Sequence, residues 1–161
     1  MSDRFPPEVA ELLTAAGWSA QQRDDDRARD WALRLAGYAD LDGRHHAVVA
    51  AAIEAYAEFG GLRLEPTGDG EQIAPSVVHL DPFRVLHSVT TLTAFADALG
   101  SPVTPLGEEG DGTGILTIDE AGRVFVLDHG GDWFLGDTLD VALCTLLLGR
   151  QPARVRLDGT W

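Results

Sequence analysis

Five histidines, one cysteine and a dense set of carboxylates are the side chains of this chain best suited to moving a proton or holding an ion. His129 lies between Asp128 and Asp132, and His79 lies two residues before Asp81. An imidazole oriented by a carboxylate is the general base of a hydrolase when a nucleophile stands within hydrogen-bond reach. His79 and Asp81 would share one face of an extended segment, because alternate residues of a strand point the same way, but no nucleophile completes that set at a recognisable spacing. The zinc-deaminase pattern, the zinc-protease helix motif and the serine nucleophile elbow are all missing from the sequence. Cys144 falls in an apolar, helix-forming run, where a thiol is inert. The chemistry read here is not catalytic, and a hydrolase using His129 with Asp128 or Asp132, or His79 with Asp81, is the lesser alternative.

Metal and phosphate chemistry find no better footing. Asp24-Asp25-Asp26 open a helical pattern and read as a cap that complements the helix dipole, without the further oxygen ligands that calcium requires. His45-His46 are expected in the first turn of a helix, where adjacent side chains diverge by about 100° and cannot chelate one ion together; they read as solvated. The glycine-rich stretch Gly107–Gly114 (GEEGDGTG) lacks the Lys-Ser/Thr ending of a phosphate loop, is acidic, and fails the calcium-loop pattern. No metal and no cofactor is expected.

The elements that must position these groups are legible from periodicity. Ile115–Ile118 and Val124–Leu127 are strand-length apolar runs joined by Asp119-Glu120-Ala121-Gly122, an Asp-to-Gly turn. A short bulged loop places Ile118 opposite Val124, Leu116 opposite Val126 and Ile115 opposite Leu127, so both faces are apolar and the hairpin is central in its sheet. Trp133-Phe134-Leu135 adds a third strand, ended by Gly136. Asp137 or Thr138 then caps a helix carrying Leu139, Ala142, Leu143, Leu146 and Leu147, with Val141, Cys144 and Leu148 as a second apolar stripe; Gly149 stops it.

Upstream, Pro6-Pro7 open a first helix with Val9, Leu12, Leu13 and Ala16 inside and Trp18 packing its end. A second follows with Ala28, Trp31, Leu35 and Tyr38, a third spans Gly43 to Phe59, and a fourth runs from Ser88 to Leu99. Leu62-Arg63-Leu64 and the segment from Ile73 to Leu80 read as strands, and Val103 to Leu106, broken by prolines, as an edge strand. The tail adds a last strand near Arg154 and Arg156, with Trp161 docked or frayed. The expected fold is α+β, a mostly antiparallel sheet flanked by helices in a single domain spanning 1–161.

Composition limits the partners. The 161 residues carry 12 basic side chains, all arginine, against 26 acids, a net charge of −14. That argues against nucleic acid and anionic membrane as direct partners and permits basic proteins. One cysteine, no basic-then-apolar leader in MSDRFPPEVAELL and no apolar run of spanning length point to the cytoplasm.

Three stretches together resemble a known family: AYAEFGGLRL from Ala55 to Leu64, HLDP from His79 to Pro82, and the run from Pro105 (PLGEEGDGTGILTIDE) through Arg150. With the opening FPPEVAELLTAAGW they are similar to the third branch of the SUKH superfamily, the Smi/Knr-type fold; Gln21 to Asp42 departs from that pattern. The resemblance implies an α+β fold without a catalytic centre. It also implies a bacterial immunity protein that binds and neutralises a secreted polymorphic toxin, whether nuclease, deaminase or peptidase. A general protein- or peptide-binding adaptor is the alternative.

Charge patterning supports binding by an acidic surface. From Gly107 to Asp140 nine acids stand against Arg123 alone. A cognate toxin domain, a basic nuclease or other cationic domain, would be steered to such a surface. Glu108, Glu109, Asp111, Asp128 and Asp132 are the candidate partner-binding acids, and Trp133 is the candidate aromatic anchor.

Overall fold

Alternating apolar residues from Gly114 to Gly136 build the centre of the molecule. The computed structural model describes residues 4–161; Met1, Ser2 and Asp3, at the head of the stretch read as carrying no leader, lie outside them. Strands β1 (Arg63–Leu64), β2 (Val78–His79), β3 (Val103–Glu109), β4 (Gly114–Asp119), β5 (Val124–Asp128), β6 (Gly131–Gly136) and β7 (Ala153–Arg154) form one sheet, each pairing antiparallel with the next. The β4–β5 register is Ile118 with Val124, Leu116 with Val126 and Ile115 with Leu127, as the alternation predicts. Both strands are interior to the sheet and buried on both faces.

Helices cover the two faces unequally. α1 (Pro7–Ala15), α3 (Ala50–Phe59) and α5 (Leu139–Leu148) enclose the larger core against Leu106, Leu116, Ile118, Val124, Val126 and Leu135, with α2 (Asp25–Gly37) packed on α3. α4 (Val89–Leu99) covers the other face through Leu92 and Phe95 against Val103, Phe125 and Leu127. Trp161 docks there, its ring stacked on Phe134 at 4.4 Å. Asp24 caps α2 and Thr138 caps α5, each accepting a backbone N–H from its own first turn. Trp18 stacks on Phe59 at 5.8 Å, holding the end of α1 to the core. On α5 the second stripe is only partly covered: Cys144 and Leu148 are half-buried and Val141 is 50% exposed.

Several expectations change with the structure. The third helix begins at Ala50 rather than near Gly43, because Thr104 on β3 holds the preceding backbone extended: its hydroxyl donates to the Ala47 carbonyl at 2.7 Å and accepts from the Val49 N–H at 2.9 Å. His45 and His46 therefore precede the helix. His45 is exposed, but His46 is buried with Nε2 2.7 Å from the Leu86 carbonyl, and burial pushes its pKa below the ordinary histidine value.

Val103 to Leu106 has the open side expected of an edge, although its strand is not the rim of the sheet. It opens β3, third of the seven strands, and Pro105 is tolerated because β2 pairs only with Glu108 and Glu109. The Pro105 carbonyl accepts from the buried Tyr56 hydroxyl at 2.5 Å. Glu108 and Glu109 accordingly belong to a strand, not to the glycine-rich loop, and only residues 110–113 turn. Gly107 permits the bulge that joins the two halves, since a Cβ there would lie 1.8 Å from the His79 carbonyl. The expected strand from Ile73 shrinks to Val78–His79, because Glu71, Gln72 and Ile73 donate their N–H groups to the carbonyls of Leu148 and Gly149 at the end of α5.

Candidate partner-binding surface

A meander sends successive turns to alternate ends of the sheet, and this decides where the acids fall. The β3–β4 turn and the β5–β6 turn share one end, where Glu109 pairs with Gly114 and Asp128 with Gly131. Glu108, Glu109, Asp111, Asp128, Asp132 and Trp133 all lie there. The β4–β5 turn and the start of α5 lie at the other, so Asp119, Glu120, Asp137 and Asp140 are not part of that surface. Asp119 is fully buried and paired with Arg123 at 2.6 Å, and Asp140 is paired with Arg4 at 2.6 Å. The nine acids contiguous in sequence are thus divided between two ends.

Strand alternation divides the strand residues at this end again, onto the two faces. Glu108 and Asp132 line a cavity of about 420 Å³ on the α4 face, together with His87, Asp128 and His129. Glu109, Asp128 and Trp133 line a narrower cavity of about 210 Å³ on the opposite face, whose apolar walls include Val126, Leu135 and Leu146. Asp128 stands at the rim between them.

Asp128 organises its turn. Its Oδ1 accepts the N–H of Gly130 at 2.8 Å, the N–H of Gly131 at 3.1 Å and the indole N–H of Trp133 at 3.1 Å. Trp133 is half-buried, and the Arg154 guanidinium from β7 lies 5.4 Å from its ring centroid. Asp132 is raised above its ordinary pKa by burial and by Asp128, with Arg154 opposing. Glu109 is raised by burial and by Asp128, and its carboxylate makes no hydrogen bond or ion pair among the described residues.

The other two acids are engaged. Glu108 is buried and accepts from Arg84 Nε at 3.1 Å; Asp111, exposed, lies 3.0 Å from His79 Nε2 and 3.8 Å from Arg84. His79 thus pairs with Asp111 and not with Asp81, which instead caps the 3₁₀ turn Pro82–Val85 through the Phe83 N–H at 2.9 Å. His79, Glu108 and Asp111 place ligand atoms within 4.8 Å of one another, a set able to hold a divalent cation. Arg84 already supplies positive charge to both carboxylates, which makes the cluster a satisfied network as it stands. No hydrogen bond joins His129 to Asp128 or Asp132 among the described residues, so the pairing expected of a base at His129 is not formed.

Two arginines, Arg84 and Arg154, belong to this end and were not among the expected site residues. The alternating Arg154 and Arg156 of the tail were the available signal for one of them; Arg84 follows a turn whose fold path the sequence alone does not reveal. No helix among the described residues is long and apolar enough to cross a membrane. Residues 5–149 match the family model described as SUKH-3 immunity protein. No curated protein and no solved structure matches the chain.

Proposed function

Because the chain belongs to the SUKH-3 immunity protein family, we propose that it binds and neutralises a secreted polymorphic toxin by stoichiometric protein–protein interaction in the cytoplasm. The observation that carries the reading is the family match over residues 5–149. The convergence of Glu109, Asp128, Asp132 and Trp133 at one sheet end supplies a surface for it, acidic and with a half-buried aromatic. A surface of that kind accelerates encounter with a cationic toxin domain and loses that advantage as salt rises. The protein acts here by occupying its partner, with no catalytic step of its own.

The test is co-expression with the toxin domain encoded beside its gene. Restored growth and a one-to-one complex are expected. Unchanged toxicity with no complex would remove that toxin, and with it this reading for the pair.

A further inference from the structure

The narrower cavity at the acidic end combines three features that single out one kind of occupant. Its walls are apolar, from Val126 on β5, Leu135 on β6 and Leu146 on α5. Its lining also carries Glu109, a half-buried carboxylate with no hydrogen-bond or ion-pair partner among the described residues, together with Asp128 and the Trp133 indole. Its volume, about 210 Å³, is below the roughly 300–1,000 Å³ of small-molecule sites. An apolar shaft ending at an unpaired anion fits a long side chain with an aliphatic stem and a cationic head.

The wall is fixed before any partner arrives. The loop through Ile73 and Pro75 is tied to the last turn of α5 by the N–H groups of Glu71, Gln72 and Ile73, at 2.8 to 2.9 Å from the Leu148 and Gly149 carbonyls. Gly70 and Gly149 pack backbone to backbone, where a Cβ on Gly149 would lie 2.8 Å from the Gly70 Cα. Arg150, the one cation on the lining, is engaged by Glu71 at 2.8 Å.

We propose that this notch, formed by Glu109, Asp128, Trp133, Val126, Leu135 and Leu146, receives a single arginine side chain of the partner protein, its stem along the apolar wall and its guanidinium on Glu109. Arginine is favoured over lysine because a planar guanidinium is more weakly hydrated and meets a carboxylate through two parallel N–H donors. The proposal refines the toxin-binding reading and rests on it for the identity of the partner. The notch itself is testable without a toxin.

The experiment titrates Nα-acetyl-arginine amide, and separately the neutral isostere Nα-acetyl-citrulline amide, into the full chain. It follows the Trp133 indole and the Val126, Leu135 and Leu146 methyl resonances by NMR. A saturable shift of these signals with the arginine amide, at least tenfold weaker with the citrulline amide and lost in Glu109→Gln, is expected. Equal response to both probes, retention of the response in Glu109→Gln, or no response of the notch methyls to either probe overturns the proposal. Glu109→Gln must keep the wild-type methyl spectrum elsewhere; Glu109→Asp, which keeps the charge and shortens the reach, serves as the second variant and should bind weakly. Failure of the notch with toxin protection intact would place recognition elsewhere on the acidic end. Loss of protection with arginine binding intact would remove the immunity reading instead.

Discussion

Asp128 carries two separable duties, and a pair of substitutions parts them. Asp128→Asn keeps a carbonyl oxygen where Oδ1 accepts from Gly130, Gly131 and the Trp133 indole, and removes only the charge. Asp128→Ala removes both. A hydrogen bond to a charged group is worth about 1.5–3 kcal/mol net, and a neutral one about 0.5–1.5. Because the turn is exposed, water both screens the charge and replaces the lost acceptor, so each bond counts in the lower half of the neutral range, about 0.7 kcal/mol, and the three together contribute about 2 kcal/mol. For a chain of this length each kcal/mol moves Tm by about 2–4 °C, so Asp128→Ala should melt about 6 °C below wild type and Asp128→Asn within about 1 °C of it. Thermal unfolding at neutral pH measures this directly, and the Trp133 indole N–H resonance reports the freed ring. With a toxin in hand, Asp128→Asn should slow association at low salt and leave dissociation unchanged, whereas Asp128→Ala should also speed dissociation. Equal melting of the two variants, with the indole resonance unmoved, would reduce Asp128 to a surface charge and refute its role in setting the Trp133 ring.

Three further outcomes follow from the same geometry. Asp119→Ala removes a fully buried carboxylate that accepts from the Ala121 and Arg123 N–H groups and from the Arg123 guanidinium at 2.6 and 2.7 Å; with Arg123 itself 29% exposed and able to rehydrate, the cost is at the low end of buried-pair breaking, about 3 kcal/mol in urea unfolding, with little effect on toxin association. Trp161→Ala should cost about 1–2 kcal/mol, since the ring stacks on Phe134 and meets Phe125 edge-on at 5.6 Å. Burial and Asp128 raise Glu109 above its ordinary 4.5, so the native state binds protons that the unfolded chain has released, and stability falls as pH rises through the interval between 4.5 and the raised value. Glu109→Gln should flatten that interval in pH-dependent urea unfolding and stabilise the free protein above it, and an unchanged pH profile would show that Glu109 is not held away from water.

The central hairpin was legible because three local signals agree there: strict alternation, an Asp-to-Gly turn and matched strand lengths. The register that they predict is the one observed. Errors arose where a long-range contact overrides a local one. The stretch before Ala50 has helical composition, yet the Thr104 hydroxyl, more than fifty residues away in sequence, satisfies Ala47 and Val49 in an extended form. Pro105 marks an open side, but that opening lies inside the sheet because β2 stops short of it, the preceding residues 71–73 being bound to the end of α5. The His79–Asp111–Glu108–Arg84 network was invisible for the same reason, since its members come from β2, the β3–β4 turn, β3 and the 3₁₀ turn.

The division of the acids needs no long-range contact to explain it. Once β3 to β6 are read as consecutive hairpins, the turn at residues 120–123 must lie opposite those at residues 110–113 and 129–130, whatever the side chains do. Proximity in sequence therefore overstated the acidic surface by joining groups with different tasks. At the β4–β5 end the acids are spent on internal partners: Asp119 on Arg123 and the turn backbone, Asp140 on Arg4. At the other end Glu109 is left without a partner among the described residues and Asp132 is offset only by Arg154, and burial and the charge of Asp128 raise both above their ordinary pKa values. Acids that are costly to the free protein gain most when a cation arrives, so on the proposed reading the end that weakens the fold would be the end that binds. A cation seated there should lower the Glu109 pKa and release a proton on binding at pH values between its ordinary and its raised pKa, which calorimetry in buffers of different ionisation enthalpy would detect; an apparent enthalpy independent of buffer would count against it.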